Sequence, residues 1–136
     1  MSEEKRRDIK KSDCWKTPRW LMRHFIDHYD PCPSNFKEDY FHKSGLEKNW
    51  RKSRASYVNP PYSQPKLWVD KAIEQQNKGV DVVMLLRCDP STKWYKKLVE
   101  ADAHFCYFNE RLKFSESKGS PNFASMLVFL EGKHES

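Results

Sequence analysis

The chain has 136 residues, a length typical of a single domain, and its 38% hydrophobic and 14% aromatic content is enough for a hydrophobic core. The formal net charge of +6 favours a polyanionic partner, of which nucleic acid is the first candidate. No segment is long and apolar enough to span a bilayer, and the N-terminus has no signal-peptide pattern. We therefore expect a cytoplasmic protein without a membrane partner.

The cysteines and the chain ends add little chemistry. Cysteines stand far apart, at Cys14, Cys32, Cys88 and Cys106, and no spacing of cysteines and histidines suits a metal site. We expect reduced thiols and no metal. The ends are strongly polar, which predicts a basic flexible arm over residues 1–12, a single domain over residues 13–130 and a polar tail over residues 131–136.

The first half of the domain is predicted to contain one helix and two short strands. Thr17 followed by Pro18 predicts a helix start, with the hydroxyl as N-cap and proline at the first helical position. Apolar residues four apart then line one helix face, at Leu21, Met22, Phe25 and Ile26. An extended piece with two prolines follows at 28–33, and residues 34–54 show no regular pattern. Residues 55–58 predict a strand, and Asn59-Pro60-Pro61-Tyr62 must form a loop at its end.

The second half alternates helices and strands. A helix is predicted from Pro65 to Gly79, with a buried face at Trp68, Val69, Ala72 and Ile73. Residues 80–86 predict a strand that is buried on both faces, as in a parallel sheet. A helix after Asp89-Pro90 carries Trp94, Leu98 and Val99, and strands are predicted over 103–108 and 123–130. This order predicts a three-layer α/β domain.

Three polar residues follow predicted extended segments. These are Asp30, Asn59 and Arg87. Ligands of α/β sheets bind beyond the carboxyl ends of the strands, so the three side chains are expected to line one cleft.

The loop Asn59-Pro60-Pro61-Tyr62 has the groups needed to hold a planar amino group. The Asn59 side-chain oxygen and the Pro60 carbonyl can accept hydrogen bonds from the two N–H groups of an NH2 group. The prolines keep both acceptors in place. Tyr62 offers a flat face to a base that has been flipped out of a duplex. The alternative interpretation is a rigid turn at a strand end with a core tyrosine.

Cationic side chains are candidates for DNA contact. Arg87, Arg111 and Lys113 are the main ones, because neutralised phosphates supply most of the affinity for nucleic acid. Further lysines lie on the helix after Asp89, at Lys93, Lys96 and Lys97. A solvated helix face is the alternative interpretation of these lysines and is slightly favoured over DNA contact.

The order of several short motifs resembles that of the small phage-type DNA N6-adenine methyltransferase family. The similarity covers residues 13–130 and is carried by the motifs at 13–18, 30–32, 45–50 and 59–63, by residues 83–86, by Trp94, by residues 111–114 and by Ser125. The resemblance implies a compact Rossmann-like methyltransferase fold with a mostly parallel sheet, S-adenosylmethionine as methyl donor and DNA as partner. It also implies a prokaryotic or virus-infected cell as the setting.

The resemblance also implies roles for particular residues. Trp15, Thr17 and Pro18 would help form the donor pocket, and Asp30 with Cys32 would lie beside the donor. A helix cap and a turn-forming Asp-Pro are the structural alternatives for these two segments. Substrate contacts would come from Trp94 together with the cations named above. The chain departs from larger methyltransferases in one respect, because Pro31-Cys32-Pro33-Ser34 replaces their glycine-rich loop.

Several functions remain open on the sequence alone. The leading hypothesis is methyl transfer to adenine N6 in DNA. RNA adenine, cytosine N4 and protein glutamine present a similar NH2 group to such a loop. The third hypothesis is an inactive DNA-binding derivative of the same fold, which the missing glycine loop favours and the intact loop at Asn59 disfavours.

Overall fold

The computed structural model describes residues 16–32, 45–113 and 123–134. Helix α1 is short and is followed by a 3-10 turn, and two longer helices and four strands come after it. Their bounds are α1 Arg19–Met22, 3-10 turn Arg23–Phe25, β1 Ser56–Val58, α2 Pro65–Asn77, β2 Val82–Arg87, α3 Lys93–Glu100, β3 His104–Tyr107 and β4 Ser125–Leu130.

The four strands form one mixed sheet in the order β1-β2-β4-β3. β1 and β2 are parallel, with Val58 opposite Met84. β4 is antiparallel to both β2 and β3, so β3 points in the same direction as β2. Tyr29 adds a parallel bridge to Ser56, at the outer side of β1.

Alternating side chains of the sheet enter two hydrophobic clusters, one on each face. Val82, Met84 and Leu86 belong to the larger cluster, with Trp68 of α2 and Leu98 of α3. On the opposite face Val83 and Leu85 pack with Leu21 and Phe25, which come from the first helical segment. Since side chains of a strand alternate between faces, this pattern places helices on both sides of the sheet. The predicted α/β class is confirmed, although the layer on the second face consists of one short helix and a 3-10 turn.

The longer helices begin and end where their sequences favour it. Pro65 occupies the first turn of α2, where its missing N–H is not needed. Gly79, just after α2, has a φ of 97°, a conformation that glycine adopts without steric cost. At α3 the Thr92 side chain accepts a hydrogen bond from the Tyr95 amide, so Thr92 is the N-cap.

The first helix differs from its prediction. Pro18, and not Thr17, is the N-cap, and α1 contains only four residues before the 3-10 turn. Ile26, predicted to share the buried face, is 76% exposed, and Val99 of α3 is 51% exposed. The threonine does not cap the helix because its hydroxyl contacts other elements, as described below.

From residue 55 onward the helices and strands occur in the predicted order, whereas the extended piece at 28–33 forms only a single bridge at Tyr29, residues 45–47 are helical, and the sheet is not mostly parallel. Of the three strand pairs among the described residues, one is parallel and two are antiparallel. Hydrophobic runs in the sequence cannot distinguish parallel from antiparallel pairing, because a buried strand has the same composition in either direction. Within the predicted tail, Gly132 donates a backbone hydrogen bond to Asp81 and Lys133 donates one to Gln76.

Two further observations concern the predictions about membranes and metals. Over the part of the chain that the structure describes, no helix combines the length and apolarity needed to cross a membrane. The same residues contain no group of three potential metal ligands. Cys32, Cys88 and Cys106 are free thiols.

Candidate active site

Asp30, Asn59 and Arg87 lie at one edge of the sheet, as expected. Tyr29 is hydrogen-bonded in parallel with β1, because its N–H donates to Ala55 and its carbonyl accepts from Tyr57. Asp30 follows this bridge, Asn59 follows β1, and Arg87 is the last residue of β2. The three segments are parallel, so their carboxyl ends meet at the same edge.

A hydrogen-bond network fixes the Asn59 side chain. Its Nδ2 donates to the Thr17 hydroxyl at 3.2 Å, and the same hydroxyl is 2.7 Å from the phenol oxygen of Tyr57. Tyr57 is 2% exposed and stacks on Phe25, with ring centroids 4.7 Å apart. Burial raises the pKa of Tyr57 well above its usual range, so the phenol is neutral. Thr17 therefore connects the Asn59 carboxamide to a buried core residue.

The loop from Asn59 to Tyr62, here called the NPPY loop, forms one wall of a cleft. Residues from β2 and from the start of β4 complete the lining, among them Leu85, Arg87, Phe123 and Ser125. Pro60 and Pro61 are buried, whereas Tyr62 is 42% exposed. The Tyr62 ring packs against Phe123 with centroids 4.9 Å apart. The cleft thus presents an aromatic wall next to the Asn59 amide.

Arg87 lies between two aromatic rings. Its guanidinium carbon is 5.2 Å from the Tyr62 ring centroid and 5.4 Å from that of Trp94, both within range of a cation–π contact. Its Nη1 also donates to the Tyr62 carbonyl at 3.4 Å, and Asp89 lies 3.7 Å from its Nε. Arg87 consequently braces the end of the NPPY loop against α3.

Asp30 provides a carboxylate whose charge is easily lost. One carboxyl oxygen accepts a hydrogen bond from the Cys32 amide at 3.0 Å. Solvent reaches Asp30 at the surface, while protein atoms enclose it on its other sides. This partial burial raises the pKa of Asp30 to about 6, and the Cys32 hydrogen bond offsets only part of the effect. The charge is present at neutral pH and is lost in mildly acidic solution.

The segment 31–34 contains no glycine, but Gly45 allows its own backbone to pass close to this segment beside Asp30. A Cβ atom at position 45 would collide with the Pro31 carbonyl and come within 2.8 Å of the Trp68 ring. The Gly45 carbonyl in turn accepts a hydrogen bond from the Trp50 indole. A glycine distant in sequence therefore permits tight packing against the Asp30 turn.

The remaining predicted residues have different environments. Trp15 lies outside the described residues, and Pro18 and Cys32 are buried. Trp94 is 5% exposed and belongs to the core, so it reaches the site only through Arg87. Arg111 and Lys113 are exposed beyond the carboxyl end of β3. On α3, Lys97 forms an ion pair with Asp70 on α2, away from the cleft.

Sequence reasoning missed two residues of this site. Tyr57 looked like an ordinary strand residue, and Phe123 looked like the start of a strand of unknown position. Because β4 is antiparallel to β2, its first residues lie at the same edge as the end of β2, opposite Arg87. Knowledge of that direction would have placed Phe123 and Ser125 in the cleft.

The site combines a proline-containing loop, a hydrogen-bonded carboxamide and an aromatic wall at the carboxyl edge of parallel strands. A family model described as DNA N-6-adenine-methyltransferase (Dam) matches residues 5–135. The chain therefore belongs to the DNA N-6-adenine-methyltransferase (Dam) family.

Two phage proteins are similar to the chain. One is a DNA N-6-adenine-methyltransferase of Haemophilus phage HP1 (strain HP1c1), 35% identical over 149 aligned residues that cover 93% of this chain and 84% of the relative. The other is a DNA N-6-adenine-methyltransferase of Escherichia phage T1, 28% identical over 131 residues that cover 89% of this chain and 55% of the relative. No solved structure matches the chain.

Proposed function

We propose that this protein transfers a methyl group from S-adenosylmethionine to the N6 amino group of adenine in DNA. The observation that carries the proposal is the Asn59 carboxamide, which Thr17 holds in a fixed orientation at the wall of an aromatic cleft. Membership of the Dam family and the two phage relatives support adenine in DNA as the substrate. We place its action in a prokaryotic or phage-infected cell, in the cytoplasm where DNA is accessible.

The NPPY loop would activate the amino nitrogen. In adenine the nitrogen lone pair is delocalised into the ring, so the nitrogen must become more tetrahedral before it can bond to a methyl carbon. Asn59 Oδ1 and the Pro60 carbonyl would accept hydrogen bonds from the two N–H groups of this nitrogen and favour that geometry. As the N6–CH3 bond forms, the bond between the methyl carbon and the donor sulfur would break, and its electron pair would remain on sulfur. The amino group then carries a positive charge and releases a proton to water.

The base itself would lie against Tyr62. An adenine inside a duplex cannot reach the cleft, so it must be flipped out or come from a single strand. The exposed face of Tyr62 offers a stacking surface, while Phe123 and Arg87 keep the ring in place. We assign substrate contact to Asn59, Pro60, Pro61 and Tyr62, with Arg87 holding the wall.

The donor would bind at the neighbouring end of the same edge. S-adenosylmethionine, when bound, supplies an electrophilic methyl group on a positively charged sulfur. The residues present fit such a cation, because Asp30 is an accessible carboxylate two strands from Arg87 and charged at neutral pH. We propose a donor pocket formed by Trp15, Thr17, Pro18, Asp30 and Cys32, within a Rossmann-like fold whose parallel part comprises Tyr29, β1 and β2.

The proposed domain limits are those predicted from the sequence. We propose that residues 13–130 form the methyltransferase domain, with a basic arm over 1–12 and a polar tail over 131–136. The arm carries five cations, at Lys5, Arg6, Arg7, Lys10 and Lys11, and would add non-specific attraction to DNA.

A labelling experiment compares the possible substrates directly. The purified protein is incubated with methyl-labelled S-adenosylmethionine and, in separate reactions, with DNA, RNA and protein. We expect label in DNA, recovered as N6-methyladenine after digestion to nucleosides. Label confined to cytosine N4, to RNA or to glutamine would contradict the proposed substrate. Absence of label from all three, with DNA still bound, would identify an inactive DNA-binding derivative.

A further inference from the structure

An open groove beside the cleft carries an exposed tryptophan. Trp20 and Phe108 line it together with residues 109–113. Trp20 is 51% exposed, and the edge of one ring meets the face of the other with centroids 6.2 Å apart at an interplanar angle of 81°. Phe108 therefore supports the Trp20 ring while leaving half of the residue open to solvent. A large exposed aromatic side chain of this kind is common at binding surfaces.

The groove lies at the same edge of the sheet as the cleft. β3 points in the same direction as β2, so the residues after Tyr107 follow a carboxyl end, as Cys88 does after Arg87. The Phe108 amide donates a hydrogen bond to the Ser125 carbonyl, and Ser125 also lines the cleft. Through this hydrogen bond, a residue of the groove contacts a residue of the cleft wall.

The groove is also cationic. Among the described residues that line it, Arg111 and Lys113 are exposed and Glu110 is the single acid. Arg23 is exposed and follows Trp20 by three residues, which places it on the same side of the helical segment. Aromatic surface combined with cations along a track is the chemistry by which proteins bind single-stranded nucleic acid.

We propose that this groove binds the DNA strand that carries the target adenine. Trp20 stacks on a base next to the target, and Arg111 and Lys113 neutralise phosphates of the same strand. The neighbour of a flipped base loses one stacking partner, and an aromatic ring can replace it. The identity of the partner rests on the proposed function, whereas the groove itself is tested by binding alone.

The test measures DNA binding without a methyl donor. Fluorescence anisotropy of a labelled, adenine-containing single strand gives the Kd for each variant. We expect Trp20→Ala to raise the Kd by at least about fivefold, the lower end of the effect of losing one base–aromatic stack. Trp20→Phe should recover most of the affinity. The double variant Arg111→Ala/Lys113→Ala should reduce the slope of log Kd against log salt by about 1.4, that is, about 0.7 for each phosphate contact on a single strand.

Two control variants make the same kinds of change at positions outside the groove. Ile26→Ala removes exposed apolar surface from the same segment, and Lys133→Ala removes a charge at the opposite edge of the sheet, where β4 ends. Both should bind as the unmodified protein does. An unchanged Kd for Trp20→Ala would overturn the proposal, as would a change in self-association by sedimentation without a change in DNA affinity.

Different results contradict the proposed groove and the proposed function. If the unmodified protein methylates adenine but Trp20→Ala binds DNA normally, only the groove is wrong. If the unmodified protein transfers no methyl group, the proposed function is wrong, and the binding measurements still decide whether DNA occupies the groove.

Discussion

At the scale of single residues, the site depends on side chains that hold other side chains. Thr17 fixes the Asn59 carboxamide, and Arg87 braces Tyr62. Both were predicted from the sequence as ligand-binding residues. Their structural contacts add a positioning role, because a carboxamide or a ring that rotates freely would lose part of the benefit of preorganisation.

Arg87 provides a direct test of positioning against phosphate contact. We expect Arg87→Ala to lower kcat by about tenfold to a hundredfold, since small misplacements at a reacting centre have effects of that size. The salt dependence of DNA binding should stay unchanged, because the guanidinium is occupied between two rings. Steady-state kinetics and a salt titration measure the two effects. Lys133→Ala, which removes an exposed cation at the opposite edge of the sheet, serves as control.

A reduced salt slope with a normal kcat would assign Arg87 to a phosphate instead. That outcome would restore the role predicted from the sequence and remove the bracing role of the guanidinium.

Asp30 gives donor binding a dependence on pH. Because the pKa of Asp30 is raised to about 6, the carboxylate becomes neutral as the pH falls through that value. Affinity for the cationic donor should then fall by up to about tenfold per pH unit below pH 6. Isothermal titration calorimetry between pH 5 and pH 8 measures the effect. In Asp30→Asn the affinity should be weak and nearly independent of pH, and a pH profile identical to that of the unmodified protein would contradict the assignment.

The same carboxylate should lower the stability of the fold at neutral pH. In the unfolded chain Asp30 ionises near its ordinary pKa of 3.8, whereas in the fold it retains its proton up to about 6. Stability contributed by the neutral form is therefore lost as the pH rises from about 4 to about 6. Asp30→Asn should unfold at a higher temperature than the unmodified protein at pH 7, and the difference should shrink towards pH 4. A lower melting temperature at pH 7 would contradict this account.

At the scale of elements, two buried glutamines connect α2 to the rest of the fold. Gln75 accepts a hydrogen bond from the buried Trp50 amide at 2.7 Å, and Gln76 donates to the carbonyls of Ala101 and Glu131. Both were missed by the sequence prediction, which counted only apolar residues as the buried face of this helix. Polar residues are buried where they satisfy backbone groups of loops, and such loops cannot be located before the fold is known.

Removal of one glutamine should destabilise the fold. Gln75→Leu leaves the backbone N–H of Trp50 buried without its acceptor. We expect the free energy of unfolding to fall by about 1–3 kcal/mol. Urea denaturation followed by tryptophan fluorescence measures the change. Asn77→Ala, an exposed position at the end of the same helix, should change stability much less. Equal stabilities for Gln75→Leu and the unmodified protein would show that the hydrogen bond is unimportant.

Helices and strands were predictable in kind and order because their buried faces follow simple periods. The Thr17-Pro18 cap was wrong by one residue, since a threonine hydroxyl can serve either a helix or a distant side chain, and the sequence does not show which is near. Strand direction was equally hidden, and it determines whether Phe123 reaches the cleft. The NPPY loop could be identified because its residues follow directly on β1 and carry their chemistry locally.

At the scale of the whole molecule, the groups that we propose to bind donor, base and DNA strand are concentrated at one edge of the sheet. Asp30, the NPPY loop and the Trp20 groove all lie at the carboxyl edge of β1, β2 and β3. The opposite edge contains structural contacts, such as the Gly132 amide with Asp81. A net charge of +6 would draw DNA towards such a surface, and salt should weaken the attraction.

The proposed reaction depends most on the Asn59 carboxamide as the group that activates adenine N6. The decisive measurement is mass spectrometry of nucleosides from DNA incubated with S-adenosylmethionine and either the unmodified protein or Asn59→Ala, with circular dichroism to establish that both are folded. We predict N6-methyladenine from the unmodified protein and at most about one hundredth of that rate from the variant, the scale of loss when one preorganised group is removed from a transition state. A folded Asn59→Ala protein that forms N6-methyladenine at the normal rate would contradict the central claim.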